Sequence, residues 1–321
     1  MNHVTCPLCG SDDAKTVAEI ADYVEKFRNV ICLRCALVYA NPQPTPAELE
    51  AYYAGQFIQG RHQIASVDEA RERARKKGSQ AKYSVEGLRD GLTPSSRALE
   101  IGCSYGFLLN ALKQATGASV EGVEPSDVSG RFAEAEFNFP VFHGSVEAYL
   151  ASPVTEGYDL IIISHVLEHL ADPVRVLKEL RKRLKPGGRL YVCVPDVTHL
   201  QEPPETFFQV PHLTSFSPWS LSFALWQAGW KPIRWSRKLR APKSGMECYA
   251  VPSHDPRPMV SSLESRIGQD PKEVVSALVS IRRKYGALRW AKKQAARVVP
   301  TAALEHASLR LRRRLRRSQD R

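Results

Sequence analysis

The chain has 321 residues, 43% of them apolar, enough for one catalytic-sized unit with smaller attachments. Its net charge of +11 is concentrated at one end: from Arg282 onward 14 Lys and Arg stand against two acids, a net +12, so the rest of the chain sums to −1. That distribution argues against a nucleic-acid-binding body, whose basic surface should lie at the working site. No apolar run reaches the roughly 18 residues of a membrane span, and Met1-Asn-His-Val-Thr-Cys6 carries no leader pattern, so a cytoplasmic protein is expected.

Residues 1–40 hold two C-x-x-C pairs, Cys6/Cys9 and Cys32/Cys35. In a reducing compartment such pairs point to metal and not to disulfides. Each pair can offer two thiolates, and the segment between them can form a small β-ribbon that brings the pairs together. Four thiolates suit a closed structural Zn²⁺ site, with an iron centre or a redox dithiol as the alternatives. A segment this short buries little core, so the metal would supply its fold.

Asn41-Pro-Gln-Pro-Thr-Pro46 closes that module, because alternating prolines favour extended backbone. Residues 41–94 read as a helical connector that starts at Thr45-Pro46-Ala-Glu48 and continues through the charged stretch 68–77. Tyr52, Tyr53 and Phe57 could cap a ligand but read first as residues that dock this connector, and they are left out of the site.

Residues 95–253 alternate short apolar runs with helical patterns, the signature of repeated βα units and a mostly parallel sheet. Six runs fit strands: Arg97–Ile101, Val120–Val123, Val141–Phe142, Leu160–Ile163, Arg189–Val194 and Cys248–Val251, with Ile233–Trp235 as a seventh. The spacing predicts a helix over Arg175–Leu184, ended by Lys185-Pro-Gly-Gly188. The fold expected is therefore a Rossmann-like seven-stranded α/β sheet with a small N-terminal metal module. Residues 254–321 read as a helical basic tail, in which Val274, Val275, Leu278, Ile281, Tyr285 and Leu288 share one face up to Pro300. The final stretch, Leu309–Arg317, is too poor in apolar residues to form a core; it is either disordered or held by an acidic surface such as an anionic membrane face.

A strand carrying Glu100 runs into Gly102-Cys-Ser-Tyr-Gly106 and then an apolar helix, a first βα turn where backbone can approach a ligand. A dinucleotide fingerprint needs G-x-G-x-x-G, but Ser104 and Phe107 occupy its second and third glycine positions. Glu100 would repel a pyrophosphate and attract a cation. S-adenosylmethionine carries both a sulfonium and an ammonium. Glu124, at the end of the following strand, suits both ribose hydroxyls of either cofactor class.

With those residues in view, the stretch 95–253 resembles the class I S-adenosylmethionine-dependent methyltransferases, especially the branch that includes the ubiquinone-biosynthesis O-methyltransferases. Five segments carry the likeness in order and spacing. They are Leu99-Glu-Ile-Gly-Cys-Ser-Tyr-Gly106, Gly122-Val-Glu-Pro-Ser126, Tyr158 through Pro173, Leu184-Lys-Pro-Gly-Gly-Arg-Leu190 and His212-Leu-Thr-Ser-Phe-Ser217. The resemblance implies that Gly102, Ser104 and Gly106 cradle the methionine portion of the cofactor, with Glu100 beside them. It implies that Glu124 binds the ribose, that Ser145 and Val146 lie near the adenine, and that Ser164 and His165 line the methionine end. Family members often have Asp where Ser145 stands.

Methyl transfer from a sulfonium is an in-line displacement, in which alignment and water exclusion matter most and a base is needed only for a hydroxyl acceptor. His165, after the fourth strand, and His212, from the loop after the fifth, are the catalytic candidates, while Glu168 and His169 are expected to begin the next helix. His165-x-x-Glu168-His169 also spells a zinc-peptidase run, which is discounted because it crosses a strand-to-helix loop. Some quinone O-methyltransferases hold a divalent cation on E-x-x-E-H here. His165 in place of the first Glu exchanges oxygen for nitrogen and disfavours Mg²⁺.

The acceptor expected is a hydroxyl, carbon or amine of a small molecule, glycan precursor or isoprenoid. Two rivals are an rRNA base methyltransferase and a non-catalytic cofactor-binding interaction protein. Against the first stand the neutral body and the absence of an Asn/Asp-Pro-Pro-aromatic run after the fourth strand.

Overall fold

The computed structural model describes residues 2–20, 27–45, 47–49, 85–153, 156–200, 202–208, 212–238, 245–253 and 271–298. The charged stretch 68–77, Tyr52, Tyr53, Phe57 and the basic residues from 299 on lie outside them.

At the N-terminus, β1 (Ala14–Ile20) and β2 (Phe27–Cys32) form an antiparallel ribbon, and β3 (Val38–Ala40) adds to β2. Where the connector begins, Glu48 Oε2 accepts from the Thr45 backbone N–H at 2.7 Å and Thr45 Oγ1 accepts from the Glu48 N–H at 3.3 Å, which is a reciprocal capping box.

The central sheet begins at β4 (Arg97–Ile101) and continues with β5 (Ser119–Glu124), β6 (Val141–His143), β7 (Tyr158–Ser164) and β8 (Leu184–Pro195). After a short strand β9 (Thr214–Ser215) that belongs elsewhere, β10 (Trp230–Lys238) and β11 (Gly245–Pro252) complete it. Its order is β10-β11-β8-β7-β4-β5-β6. Neighbours among β4 to β8 are parallel, while β11 runs antiparallel to both β8 and β10. Every expected strand is present, and the fold class is the one expected.

Helices among the described residues include α1 (Phe107–Thr116), α2 (Asp127–Phe137), α3 (Val146–Ala151), α4 (Pro173–Arg181), α5 (Pro204–Phe207), α6 (Pro218–Gln227) and α7 (Pro271–Val298). The parallel strands are apolar on both sides, so each face of the sheet is covered. Leu99, Ile101, Ile161, Ile163, Val192 and Val194 point to one side, against α3, α4 and α6. Ala98, Leu160, Ile162, Tyr191 and Cys193 point to the other, against α1, α2 and residues 85–88. This period-two division of a continuous apolar run is what a doubly covered parallel sheet requires.

Two local expectations are corrected. The helix written as Arg175–Leu184 ends at Arg181, and Leu184 already opens β8, pairing with Tyr158. Lys185-Pro-Gly-Gly188 is thus an irregularity inside the start of β8, with Gly187 at φ +80°, and not a helix-to-strand loop. Glu168 and His169 do not begin the next α-helix. They lie in a single 3₁₀ turn, Leu167–His169, because the helix waits for the Asp172 side-chain cap and Pro173.

A second sheet of four strands has the order β1-β2-β3-β9. Its last strand, paired to β3, comes from the segment between α5 and α6 of the central fold, so the N-terminal segment is stitched to that fold through backbone hydrogen bonds. Helix α7 lays Val274 and Leu278 on the other face of this sheet, against Ala18, Ile31, Ala36 and Val38. The short α5 contributes Phe207 at the edge of the same cluster.

Candidate functional site

The carboxyl ends of β4, β5, β6 and β7 meet where chain order reverses around β4: β5 lies on one side of it and β7 on the other. Such a switch point is where open α/β sheets bind ligands. Glu100 and Gly102 from β4 and its turn, Glu124 from β5, Ser145 and Val146 after β6, and Ser164 from β7 all belong to this rim.

The turn after β4 is tightly specified. The backbone N–H groups of Gly102 and Cys103 both donate to Val123 O, at 2.8 and 3.1 Å. Gly102, Ser104 and Gly106 all have φ between +50° and +71°, the left-handed region that disfavours a Cβ. Packing adds a second reason for glycine. A Cβ on Gly102 would collide with Val166 Cγ2, and one on Gly106 would stand 2.5 Å from Phe139 Cζ and 2.9 Å from Ala133 Cβ. Gly106→Ala is therefore expected to lose about 2–4 kcal/mol of stability, from the strained φ and the overpacking together. Urea unfolding should show a lower midpoint at unchanged slope.

Two carboxylates face this turn, and they differ. Glu124 Oε2 accepts from the Ser104 N–H at 2.8 Å, and Oε1 accepts from the Ser126 N–H at 2.9 Å. Burial raises its pKa and these donors oppose the rise. Glu100 is 4% exposed, and its Oε2 has no hydrogen-bond partner among the described residues. Burial first, and the neighbouring Glu124 second, push its pKa well above the usual carboxylate range. A buried, unpartnered acceptor beside a second acid is costly unless a cation or donor meets it.

Ser145 is exposed and spends its hydroxyl on capping α3, where Oγ accepts from the Ala148 N–H at 3.2 Å; Val146 is buried beneath it.

Next to the rim, the 3₁₀ turn gathers a second group. His165, at φ +57°, follows Ser164; its N–H donates to Cys193 O at 2.8 Å. Its ring is 39% exposed, with Nδ1 3.4 Å from Glu168 Oε1 and Nε2 3.9 Å from Cys193 Sγ. Burial disfavours the charged ring, but the Cys193 and Glu168 contacts outweigh it and raise His165 to about 10. Glu168 is fully buried; burial would raise it, yet His165, His169 and His212 together hold it down to about 2.

The His212 ring stands 4.9 Å from that of His169 and 5.7 Å from that of Phe207. Ligand atoms of Glu168, His169 and His212 lie within 4.8 Å of one another, close enough to share one cation. The two sequence candidates, His165 and His212, thus converge on one buried carboxylate. Glu168 was visible in the sequence only as part of a run; its central place comes from burial and from His212 arriving through another loop.

The four cysteines also converge. Cys6 Sγ is 3.5 Å from Cys35 Sγ, Cys9 Sγ is 3.5 Å from Cys32 Sγ, and all four sulfurs lie within 4.8 Å of one another. A tetrahedral zinc with bonds of about 2.3 Å would separate its sulfurs by roughly 3.8 Å, so the donor set and spacing fit. Sulfur contacts hold Cys32 well below its usual value and push Cys6 above it.

A doubly wound sheet with acidic residues at its first two βα turns presents its switch point as the place for a ligand. Residues 60–234 match the family model described as a methyltransferase domain, more than half of the chain. The chain belongs to that family.

It is 34% identical over 101 residues to the ubiquinone biosynthesis O-methyltransferase of Rhizobium rhizogenes, covering 30% of this chain and 40% of that protein. It is 32% identical over 111 residues to the mitochondrial ubiquinone biosynthesis O-methyltransferase of Homo sapiens, covering 32% of this chain and 30% of that one. The chain therefore spans less than half the length of these relatives.

Among solved structures, it aligns with the complex of the Haloferax volcanii Trm112 methyltransferase activator and a methyltransferase at TM-score 0.47. That match has 17% identity and covers 58% of this chain and 94% of that one. The glycopeptide N-methyltransferase MtfA, solved with S-adenosyl-L-methionine, aligns at TM-score 0.43 and 15% identity, covering 53% and 86%.

Proposed function

We propose that this protein is an S-adenosylmethionine-dependent methyltransferase acting on a small molecule, glycan precursor or isoprenoid, with a hydroxyl as the favoured acceptor. The observation that carries the cofactor is the pair of carboxylates at the switch point, one held by two backbone N–H groups and one buried with an oxygen unpartnered among the described residues. Glu124 has a fixed geometry suited to two ribose hydroxyls, and Glu100, which burial and Glu124 hold toward its neutral form, would ionise against an ammonium placed beside it. Gly102, Ser104 and Gly106 keep the intervening turn narrow, while Ser164 borders the methionine end and Ser145 and Val146 the adenine end. When bound, the cofactor supplies the electrophilic methyl group.

His165 is assigned as the base that takes the acceptor's proton. Its exposed ring borders the rim, and Glu168 at 3.4 Å steadies the imidazolium that forms. His212 closes the site from its own loop. Removing the proton at the moment of attack makes the acceptor oxygen a better nucleophile, and the closed loop excludes competing water.

The cysteine cluster is assigned to a structural Zn²⁺, since four thiolates leave no open coordination position. No helix among the described residues is long and apolar enough to cross a membrane. The Arg-rich residues after Pro300 suit an anionic membrane face, and deletion of that stretch should abolish liposome binding.

The test is transfer of labelled methyl from S-adenosylmethionine into a lysate fractionated into small molecules, lipids, glycans and RNA, with Gly102→Arg as the inactive control. Label is expected in the first three fractions. Label confined to RNA, or cofactor affinity no better than a blank at millimolar ligand, would overturn the reading.

A further inference from the structure

The N-terminal sheet does more than abut the central fold. Cys32 and Cys35 lead directly into β3 through a tight turn, in which the Ala36 N–H donates to Cys32 O at 3.0 Å and the Cys32 N–H donates to Leu37 O at 2.9 Å. The first knuckle is tied to the far end of β3, because Asn41 Nδ2 donates to Val4 O at 3.0 Å and the Val4 N–H donates to Asn41 Oδ1 at 3.2 Å. Both halves of the thiolate cluster therefore grip one short strand.

That strand is the template for β9. Val38 pairs with Ser215 and Tyr39 with Thr214, and the Ala40 N–H donates to Leu213 O at 2.9 Å. Leu213 adjoins His212. Thr214, fully buried, donates from Oγ1 to Glu168 O at 3.4 Å. Just beyond, the Val197 N–H donates to Phe216 O at 2.9 Å, fixing the same segment to the end of β8. The turn after β4 and the ends of β5 and β6 are instead held by hydrogen bonds among β4, β5, β6 and their own turns.

From this continuity we infer that β3 and Thr214 are positioning elements for the acceptor half of the site: the thiolate-bound metal fixes β3, β3 fixes β9, and β9 sets His212 and the Glu168 turn. The metal then governs methyl transfer while leaving cofactor binding intact. The inference rests on the proposed reading of the two halves as acceptor and cofactor sites.

The test uses the full chain, loaded with Zn²⁺ or stripped of it by a thiol-directed mercurial and chelator. S-adenosylmethionine affinity is measured by calorimetry, and modification of each histidine by diethyl pyrocarbonate is followed by mass spectrometry. Stripping should speed modification of His212 and His169 about tenfold or more and change cofactor affinity less than about twofold. Restored Zn²⁺ should reverse the change.

Thr214→Val, which keeps the shape and removes the hydroxyl, should retain full metal content and cofactor affinity while speeding His212 modification about threefold. Thr214→Ser should restore protection. Unchanged histidine reactivity in both experiments overturns the inference, and so does loss of cofactor binding in step with the metal. Failure of the loaded protein to bind the cofactor at all would instead sink the proposed function, and the histidine pattern would still report on the coupling.

Discussion

Replacement of His165 by Gln is expected to lower kcat by about 10²–10⁴-fold, the range for a positioned general base, with S-adenosylmethionine affinity changed less than about twofold. The split follows from geometry, since His165 lies on the Glu168 side of the rim while Glu100 and Glu124, the acids proposed to face the cofactor, lie on β4 and β5.

The pH dependence carries a sign. A histidine raised to about 10 is protonated at neutral pH, so a rate that needs its free base should climb as pH rises toward that value. Glu168→Gln removes the partner charge, and the rising limb should move to lower pH. Stability behaves in the opposite sense. The raised pKa of His165 contributes stability that is complete below its unfolded value near 6.5 and is lost as pH climbs through about 10. Glu168, held near 2, contributes stability present above about 4.5 and lost as pH falls through about 2. The urea midpoint of the wild-type protein should therefore exceed that of Glu168→Gln most at pH 7, and the gap should narrow as pH falls from about 4.5 toward 3. A pH–rate profile that does not shift in Glu168→Gln would remove the imidazole–carboxylate pair from the mechanism.

Glu124→Ala is expected to weaken S-adenosylmethionine binding on the order of 10²-fold or more. Two charge-assisted hydrogen bonds to ribose are each worth about 1.5–3 kcal/mol. The substitution also leaves the Ser104 and Ser126 N–H groups without their acceptor, which loosens the turn that holds Gly102 and Gly106. Glu124→Gln should recover part of the loss, because an amide oxygen can still accept one backbone N–H. Calorimetry on the three proteins reads this directly. Equal affinity in wild type and Glu124→Ala would place the ribose elsewhere.

Much of the proposed cofactor half could be laid out from the sequence because it is local. Glu100 through Gly106 is one strand end and one turn, and Glu124 lies at the next strand end, so period-two apolar runs and glycine spacing suffice to locate both. The thiolate cluster was legible for the same reason, through two short knuckles.

The proposed acceptor half was only partly so. His165 and His212 could be nominated from position after strands, but their meeting at Glu168 depends on a loop that arrives from beyond β8. Thr214 and Ser215 gave no strand signal, since so short a strand has no periodicity to read; only pairing with Val38 and Tyr39 makes it one. Leu184-Lys-Pro-Gly-Gly188 misled in the opposite direction. Its Pro and Gly are helix-ending residues, yet the turn occurs inside an irregular strand start, where the register with β7 shifts between Tyr158 and Leu160.

The packing of α7 on the N-terminal ribbon sets an order of events during synthesis. Ala18, Ile31, Ala36 and Val38 leave the ribosome early, but the residues that cover them, Val274 and Leu278, follow only after most of the chain has been made. At roughly 5–20 residues per second, that apolar face waits on the order of 10–50 s for its cover. Throughout that interval the face has only Val197, Leu200, Phe208 and Trp219 of the same cluster to pack against.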